Sequence, residues 1–304
     1  MTVPETARDL VRLEGGGLRA AVDPHGAQLR SFTDADGLEL LWQGDPASWP
    51  DQALTLFPVI GPLTGGELRH GGERYPMPPH GFAHLRDFAT VEQDTDRCVL
   101  ELRDDEATHR QYPFAFTLQS TFALVDGALR NELAVDNPGD EPLPADVGFH
   151  PGFNWPLEPG RVKQDYALVF AEEEPGPIRR GAGDPVALYH EPRPTPVEDR
   201  VLRLRDELFE DLAIVWDRLR SRSVTYGTAG GRGLRVDFPD SPNLGLWMIP
   251  GARYLCIEPW HGLPIPQGFD GPFEEKPGVA AVEPRSTRTW RLSVTPLHLT
   301  SEAA

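Results

Sequence analysis

Phe114-Ala-Phe-Thr-Leu-Gln-Ser-Thr-Phe-Ala-Leu124 is the stretch on which the fold class turns. Phe114, Phe116, Leu118, Phe122 and Leu124 fall on one side of an extended chain, with Thr117, Gln119 and Thr121 on the other. A period of two is the pattern of a strand with one face in a core and one in water. Working outward, the same pattern covers Arg97–Arg103, Leu129–Val135, Leu234–Phe238 and Thr289–Thr295, where Trp290, Leu292 and Val294 share a side. The 32 prolines and 30 glycines leave few windows for a long helix, because each breaks hydrogen bonding or backbone order there. Short helical turns are expected only near Pro46–Trp49 and Asp206–Glu210. Many strands separated by Gly/Pro/Asp turns predict an all-β protein, a large antiparallel β-sandwich.

The chain has 304 residues, a length that sandwiches reach as single units, and no repeat of fixed period that would suggest a propeller or β-helix. We expect one domain over residues 1–304. Proline-rich Glu173–Val197 reads as a long surface loop inside it, and Gly262–Pro277 as a wall or lid beside the strand that precedes it. Lysine and arginine number 29 against 47 aspartates and glutamates, a formal charge of −18. That balance repels polyphosphate and anionic lipid, so neither nucleic acid nor a membrane is an expected partner. The acidic N-terminus lacks the pattern of a secretory signal, which makes the cytoplasm the expected compartment. Cys98 and Cys256 each sit in an apolar alternating segment and read as buried thiols rather than a bridge.

Three places set histidine or carboxylate beside glycine, proline and aromatics: Pro79-His80-Gly81-Phe82-Ala83, Gly148-Phe149-His150-Pro151-Gly152-Phe153-Asn154, and Cys256-Ile257-Glu258-Pro259-Trp260. His150, flanked by Phe149 and Phe153, is expected in apolar surroundings that lower a histidine pKa toward the range where proton exchange works best. Tyr254-Leu255-Cys256-Ile257 reads as a buried strand, and a glutamate that finishes it must be paired, protonated or used. No cysteine–histidine spacing reads as a zinc site, and no serine or cysteine nucleophile motif is present.

Taken in order, Gly26-Ala-Gln-Leu-Arg-Ser-Phe32, Leu40-Leu-Trp-Gln-Gly-Asp-Pro46, Leu56-Phe-Pro-Val-Ile-Gly61, the three segments above and Glu275-Lys-Pro-Gly278 resemble the aldose 1-epimerase, or galactose mutarotase-like, family, in its bacterial sugar-epimerase branch. The resemblance implies a β-sandwich with a sugar cleft on its concave face, and ring opening and reclosure of an aldose without a cofactor or metal. It matches Glu258 to the general base, His150 to the general acid, His80 to the second histidine near the ring oxygen and Asp211 to an acceptor of a sugar hydroxyl. Trp260 and Phe82 are expected as the aromatic wall. Where relatives carry arginines this chain has Pro62 and His84. If the segment after His80 is extended, Arg86 lies on the side of residue 84 and replaces the arginine missing there. The expected partner is a small-molecule sugar, and the assembly a monomer or homodimer. The alternative is a noncatalytic carbohydrate-binding protein with the same cleft, but a binder needs no matched acid and base.

Overall fold

In the computed structural model, residues 9–182, 187–188 and 191–300 are described. Two antiparallel sheets hold most of the described strands. The larger has nine strands in the order Val201–Arg203, Ala167–Phe170, Ser223–Gly227, Arg232–Asp237, Ser286–His298, Ala128–Asn137, Thr117–Val125, Arg97–Arg103 and Ala89–Gln93. The smaller has seven: Ala187–Leu188, Arg179–Ala182, Ile214–Trp216, Asn243–Trp247, Tyr254–His261, Val147–Asn154 and Ala53–Leu56. The expected all-β antiparallel sandwich is the observed architecture.

Alternation explains the larger sheet. Leu118, Ser120, Phe122 and Leu124 are buried while Thr117, Gln119, Thr121 and Ala123 are partly exposed, and neighbouring strands bring Leu129, Leu133, Trp290, Leu292 and Val294 to the same inner face. Phe149 and Phe153 from the smaller sheet meet Phe122, Leu129, Leu292 and Val294 there. The quoted stretch differs from its reading at one end. The strand begins at Thr117, and Phe114 lies before it, its ring 4.7 Å from Tyr112 and 4.6 Å from His70.

The smaller sheet follows a different rule. Val147–Phe153 and Tyr254–Trp260 are buried on both faces, because one face meets the larger sheet and the other is covered by turns and aromatic side chains. Loops assemble over that outer face. Of the expected helical turns, Asp206–Phe209 forms a short 3-10 helix and Pro46–Trp49 a non-helical turn. The Glu173–Val197 stretch is more than a loop: Arg179–Ala182 adds a strand beside Ile214–Trp216, with Ala187–Leu188 outside it at the sheet edge, and buried Glu174 accepts backbone N–H bonds from Arg220 and Ser221. Cys98 and Cys256 are both buried and free. Among the described residues no helix is long and apolar enough to cross a membrane.

Two loops that frame the outer face are tied together by a buried ion pair. Lys276 Nζ lies 2.9 Å from Asp146 Oδ2 and donates to the Leu263 carbonyl at 2.6 Å. The same Asp146 oxygen accepts the Ile60 N–H at 3.2 Å, and the Asp146 N–H donates to the Pro58 carbonyl at 2.8 Å. One carboxylate thus joins the 58–62 turn, the start of the Val147–Asn154 strand and the 262–277 wall. Burial pushes Asp146 up to about 6 against the pull of Lys276, so removal of either partner leaves an uncompensated group in the interior. Lys276→Met is expected to destabilise the protein by about 3–5 kcal/mol, read as the urea unfolding midpoint. Adding Asp146→Asn to that variant is expected to restore part of the loss; an unchanged midpoint in the single variant would show the pair to be dispensable.

Candidate active site

The strand register builds the centre of the outer face. Gly148 stands opposite Trp260 and Gly152 opposite Cys256, which brings His150 and Glu258 together between them. His150 Nε2 lies 3.2 Å from Glu258 Oε2, and both side chains are buried. Period-two alternation puts Gly148, His150 and Gly152 on the cleft side and Phe149, Pro151 and Phe153 on the core side. The glycines make room for flat indoles. A Cβ on Gly148 would stand 2.6 Å from Trp260, one on Gly152 2.7 Å from Trp49, and one on Gly245 would strike the Trp260 ring.

Around this floor the walls close. The Trp49 ring centroid is 5.1 Å from that of His150, and Trp247 stands edge-on to both. Trp42 fixes the turn that carries Trp49 by donating its indole N–H to the Trp49 carbonyl at 2.8 Å. His80 enters from the far side, 5.5 Å from His150 between ring centroids. Its φ of +64° and a two-way contact with Gly61 orient it: the His80 N–H donates to the Gly61 carbonyl at 3.0 Å, and His80 Nδ1 accepts the Gly61 N–H at 3.3 Å. The neutral ring therefore carries its proton on Nε2, free to donate. The resulting cavity is about 730 Å³ and is lined also by Asp51, Pro62, His84, Leu212 and Pro264. No lysine or arginine is among its described lining residues.

Burial governs the titration of the central pair. Burial pushes Glu258 well above the usual carboxylate range, with the Trp260 indole pulling weakly the other way. That indole nitrogen has no hydrogen-bond partner of good geometry. Burial pushes His150 well below the ordinary histidine value, and neighbouring His80 adds to the effect. His80 is itself held down to about 4, by burial first and then by His84. His84 is lowered by burial against the attraction of Asp51. Both shifts favour the neutral forms, in which the pair carries one mobile proton, on Glu258, and no net charge. Such a site can give and take a proton at two points a short distance apart. Cys256, two residues before Glu258, shares its face of the strand.

A sequence model of the family described as Aldose 1-epimerase matches residues 9–267. The chain belongs to the aldose 1-epimerase family. It is 34% identical over 282 residues, 90% of this chain and 94% of the relative, to the plasmid-borne protein LacX of Lactococcus lactis subsp. lactis. Among solved structures, a galactose mutarotase related enzyme from Lactobacillus acidophilus superposes with a TM-score of 0.86 at 29% identity, covering 97% of this chain and 99% of that one. A galactose mutarotase-like protein from Lactobacillus casei ATCC 334 gives 0.87 at 27% identity, covering 95% and 100%. The fold is galactose mutarotase-like, and membership in an epimerase family points to an isomerase-type enzyme.

Within this epimerase-family cleft the structure gathers five of the expected residues, His80, His84, His150, Glu258 and Trp260. Three lie elsewhere. Phe82 turns into the core, where Phe57, Tyr112 and Phe116 surround it, so it is no part of the cleft wall. Arg86 donates to Gln111 Oε1 at 3.1 Å instead of entering the cleft. The segment after His80 is not extended: Ala83–Leu85 is a 3-10 turn, which removes the alternation on which the Arg86 expectation rested. Asp211 is exposed and pairs with Arg193 at 2.6 Å, while its neighbour Leu212 faces the cavity.

Trp49, Asp51 and Trp247 were not expected in the site. Trp247 did carry a signal, since period two places it on the face of Gly245, opposite Leu244 and Leu246. Trp49 and Asp51 sit in a turn whose path no local pattern fixes. Because Trp260 lies flat on Gly245, Gly245→Ala is expected to destabilise by about 1–3 kcal/mol in urea unfolding. Trp260→Phe in the same chain is expected to relieve part of that cost. A midpoint equal to the parent's in Gly245→Ala would show that the indole is not seated there.

Proposed function

We propose that this chain is an aldose 1-epimerase, a mutarotase that interconverts the α and β anomers of a neutral aldose. The observation that carries the reading is the buried His150–Glu258 pair, 3.2 Å apart at the floor of a cleft, with pKa shifts in opposite directions. Ring opening needs one proton taken from the anomeric hydroxyl and one given to the ring oxygen. Sugar hydroxyls, together with the unpartnered Trp260 N–H, donate to Glu258 and supply the solvation its carboxylate lacks, so the mobile proton moves to His150.

Glu258 then removes the anomeric proton as His150 protonates the ring oxygen and the bond from C1 to that oxygen breaks. The pair ends neutral beside an open-chain aldehyde. After rotation about the C1–C2 bond the two transfers reverse, and the other anomer closes with the proton inventory unchanged. Each positioned transfer is worth about 10² to 10⁴ in rate. His80, with Nε2–H free, donates near the ring oxygen, and His84 and Asp51 meet hydroxyls farther out. Trp49, Trp247 and Trp260 offer aromatic faces to the C–H surface of the sugar. A cavity with no lysine or arginine among its described lining residues favours a neutral sugar over a phosphorylated one.

Glu258→Gln is expected to lower kcat by at least about 10² in polarimetry on fresh α-glucose and α-galactose, with sugar affinity by calorimetry kept within a few-fold. Full activity in that variant would remove Glu258 from the base role. No acceleration by the parent across a panel of aldoses would leave a carbohydrate binder. The pH profile of kcat/KM is a second check. The active form carries one proton between the two groups, so activity is lost on the acid side when His150 gains a second proton, at a pH below 6.5 because its pKa is depressed. Activity is lost on the alkaline side only when Glu258 releases its proton, well above 4.5 because its pKa is raised. A flat neutral plateau is expected after subtraction of the buffer rate; a single rise through about 6.5, as for an isolated histidine base, would contradict the shared-proton arrangement.

A further inference from the structure

The proton chemistry leaves one donor beside the pair unused. Cys256 is fully buried on the cleft-side face of the same strand as Glu258, beneath the residues that line the cavity, and the register that sets it against Gly152 places it beside His150. One ligand atom from each of His150, Cys256 and Glu258 lies within 4.8 Å of the other two, and all three residues are buried. The His150 Nε2 to Glu258 Oε2 distance is 3.2 Å. A tetrahedral ion with metal–N and metal–O bonds of about 2.0–2.1 Å needs about 3.3–3.4 Å between those atoms, so that edge is already in place. With a metal–sulfur bond of about 2.3 Å, the sulfur belongs about 3.6 Å from each of the others. It has to approach by no more than about 1.2 Å, within reach of a side-chain rotation.

We propose that this floor binds one dication of the zinc and cadmium class through His150, Cys256 and Glu258, with the fourth position open to the cleft, and that the ion inhibits by occupying both groups of the acid–base pair. Charge supports it. A thiolate, a carboxylate and a neutral imidazole around a dication sum to zero, the balance a dry site requires. Two protons leave on binding, one from the thiol and the mobile proton of the pair. The cavity has no lysine or arginine among its described lining residues to repel a cation, and Asp51 stands in its wall. Magnesium and calcium are excluded by the donor set, since they take six or more oxygen ligands. No sequence spacing signals the site because its ligands come from two strands joined only by the sheet register.

Titration of the protein with cadmium, followed by the ultraviolet thiolate-to-cadmium charge-transfer absorption, tests this without relying on turnover. One equivalent is expected to develop the band in the parent, and Cys256→Ser and Cys256→Ala are expected to lose it while Cys98 remains. Near-ultraviolet circular dichroism verifies the fold of both variants. In polarimetry, zinc is expected to inhibit the parent reversibly, with EDTA restoring activity. The inhibitory concentration is expected to rise in Cys256→Ser by more than the about 10- to 100-fold that loss of an outer-shell partner costs. Absence of the band in the parent, or its survival in both Cys256 variants, overturns the site. Should the parent lack mutarotase activity, the absorption still decides the metal question, so the two readings fail separately.

Discussion

Steric exclusion at three cleft-facing positions organises the site. At residues 148, 152 and 245 anything larger than hydrogen collides with Trp260 or Trp49, so two indoles lie flat against the sheet instead of standing away from it. His150 and Glu258 are then the groups that rise from this part of the floor, in walls of aromatic carbon. Their opposed pKa shifts follow from that packing, because desolvation penalises the charged form of each. The chain of cause runs from glycine, to indole placement, to dryness, to a pair that shares one proton.

A second constraint fixes what surrounds the floor. The cleft is framed by loops, and loops hold a shape only where their backbone groups are met. Asp146 and Lys276 do this for the turn carrying Ile60 and Gly61 and for the wall carrying Pro264, and Gly61 in turn orients His80 through both its N–H and its carbonyl. On the other side, buried Arg180 donates to the Leu208 carbonyl at 2.6 Å and the Leu212 carbonyl at 3.2 Å, fixing the turn that presents Leu212. These internal contacts differ in kind from the exposed Arg193–Asp211 pair, whose geometry is equally good but whose contribution is limited to about 1 kcal/mol by water.

How much was legible in the sequence depended on whether a residue's neighbours were local. Arg97–Arg103 was readable to the residue, because one face of that strand meets the core and the other meets water. His150 and Glu258 were also readable: each sits on a strand buried on both faces, where a polar group stands out. Arg86 failed because the expectation assumed extended chain, whereas His80 and Gly81 take positive φ and lead into a 3-10 turn. Phe82 failed with it, since the same turn sends its ring to the core. Arg179–Ala182 was hidden by composition: a short strand beginning with two arginines has no apolar alternation to show, and the strand that joins it to the rest of the sheet lies more than thirty residues away. Asp211 lay one residue from a true lining position, within the uncertainty of reading a turn without its tertiary contacts.

The overall charge of −18 would lead one to expect a cleft that is itself acidic, yet burial favours the neutral form of each of its central groups. The resolution lies in where charge is affordable. Surface carboxylates keep their hydration and are screened from one another by dissolved ions over a Debye length of about 8–10 Å, whereas the buried Glu258 carboxyl has lost most of its hydration. Burial favours the neutral carboxyl of Glu258, and a sugar, dense in hydroxyls and without charge, would supply donors that favour the ionised form without adding a charge of its own. A phosphate would bring a second anion into a cavity with no cation on its described walls. On the proposed reading, the burial that disfavours the ionised forms of Glu258 and His150 thus links their protonation to occupancy of the cleft by an uncharged, hydroxyl-rich ligand.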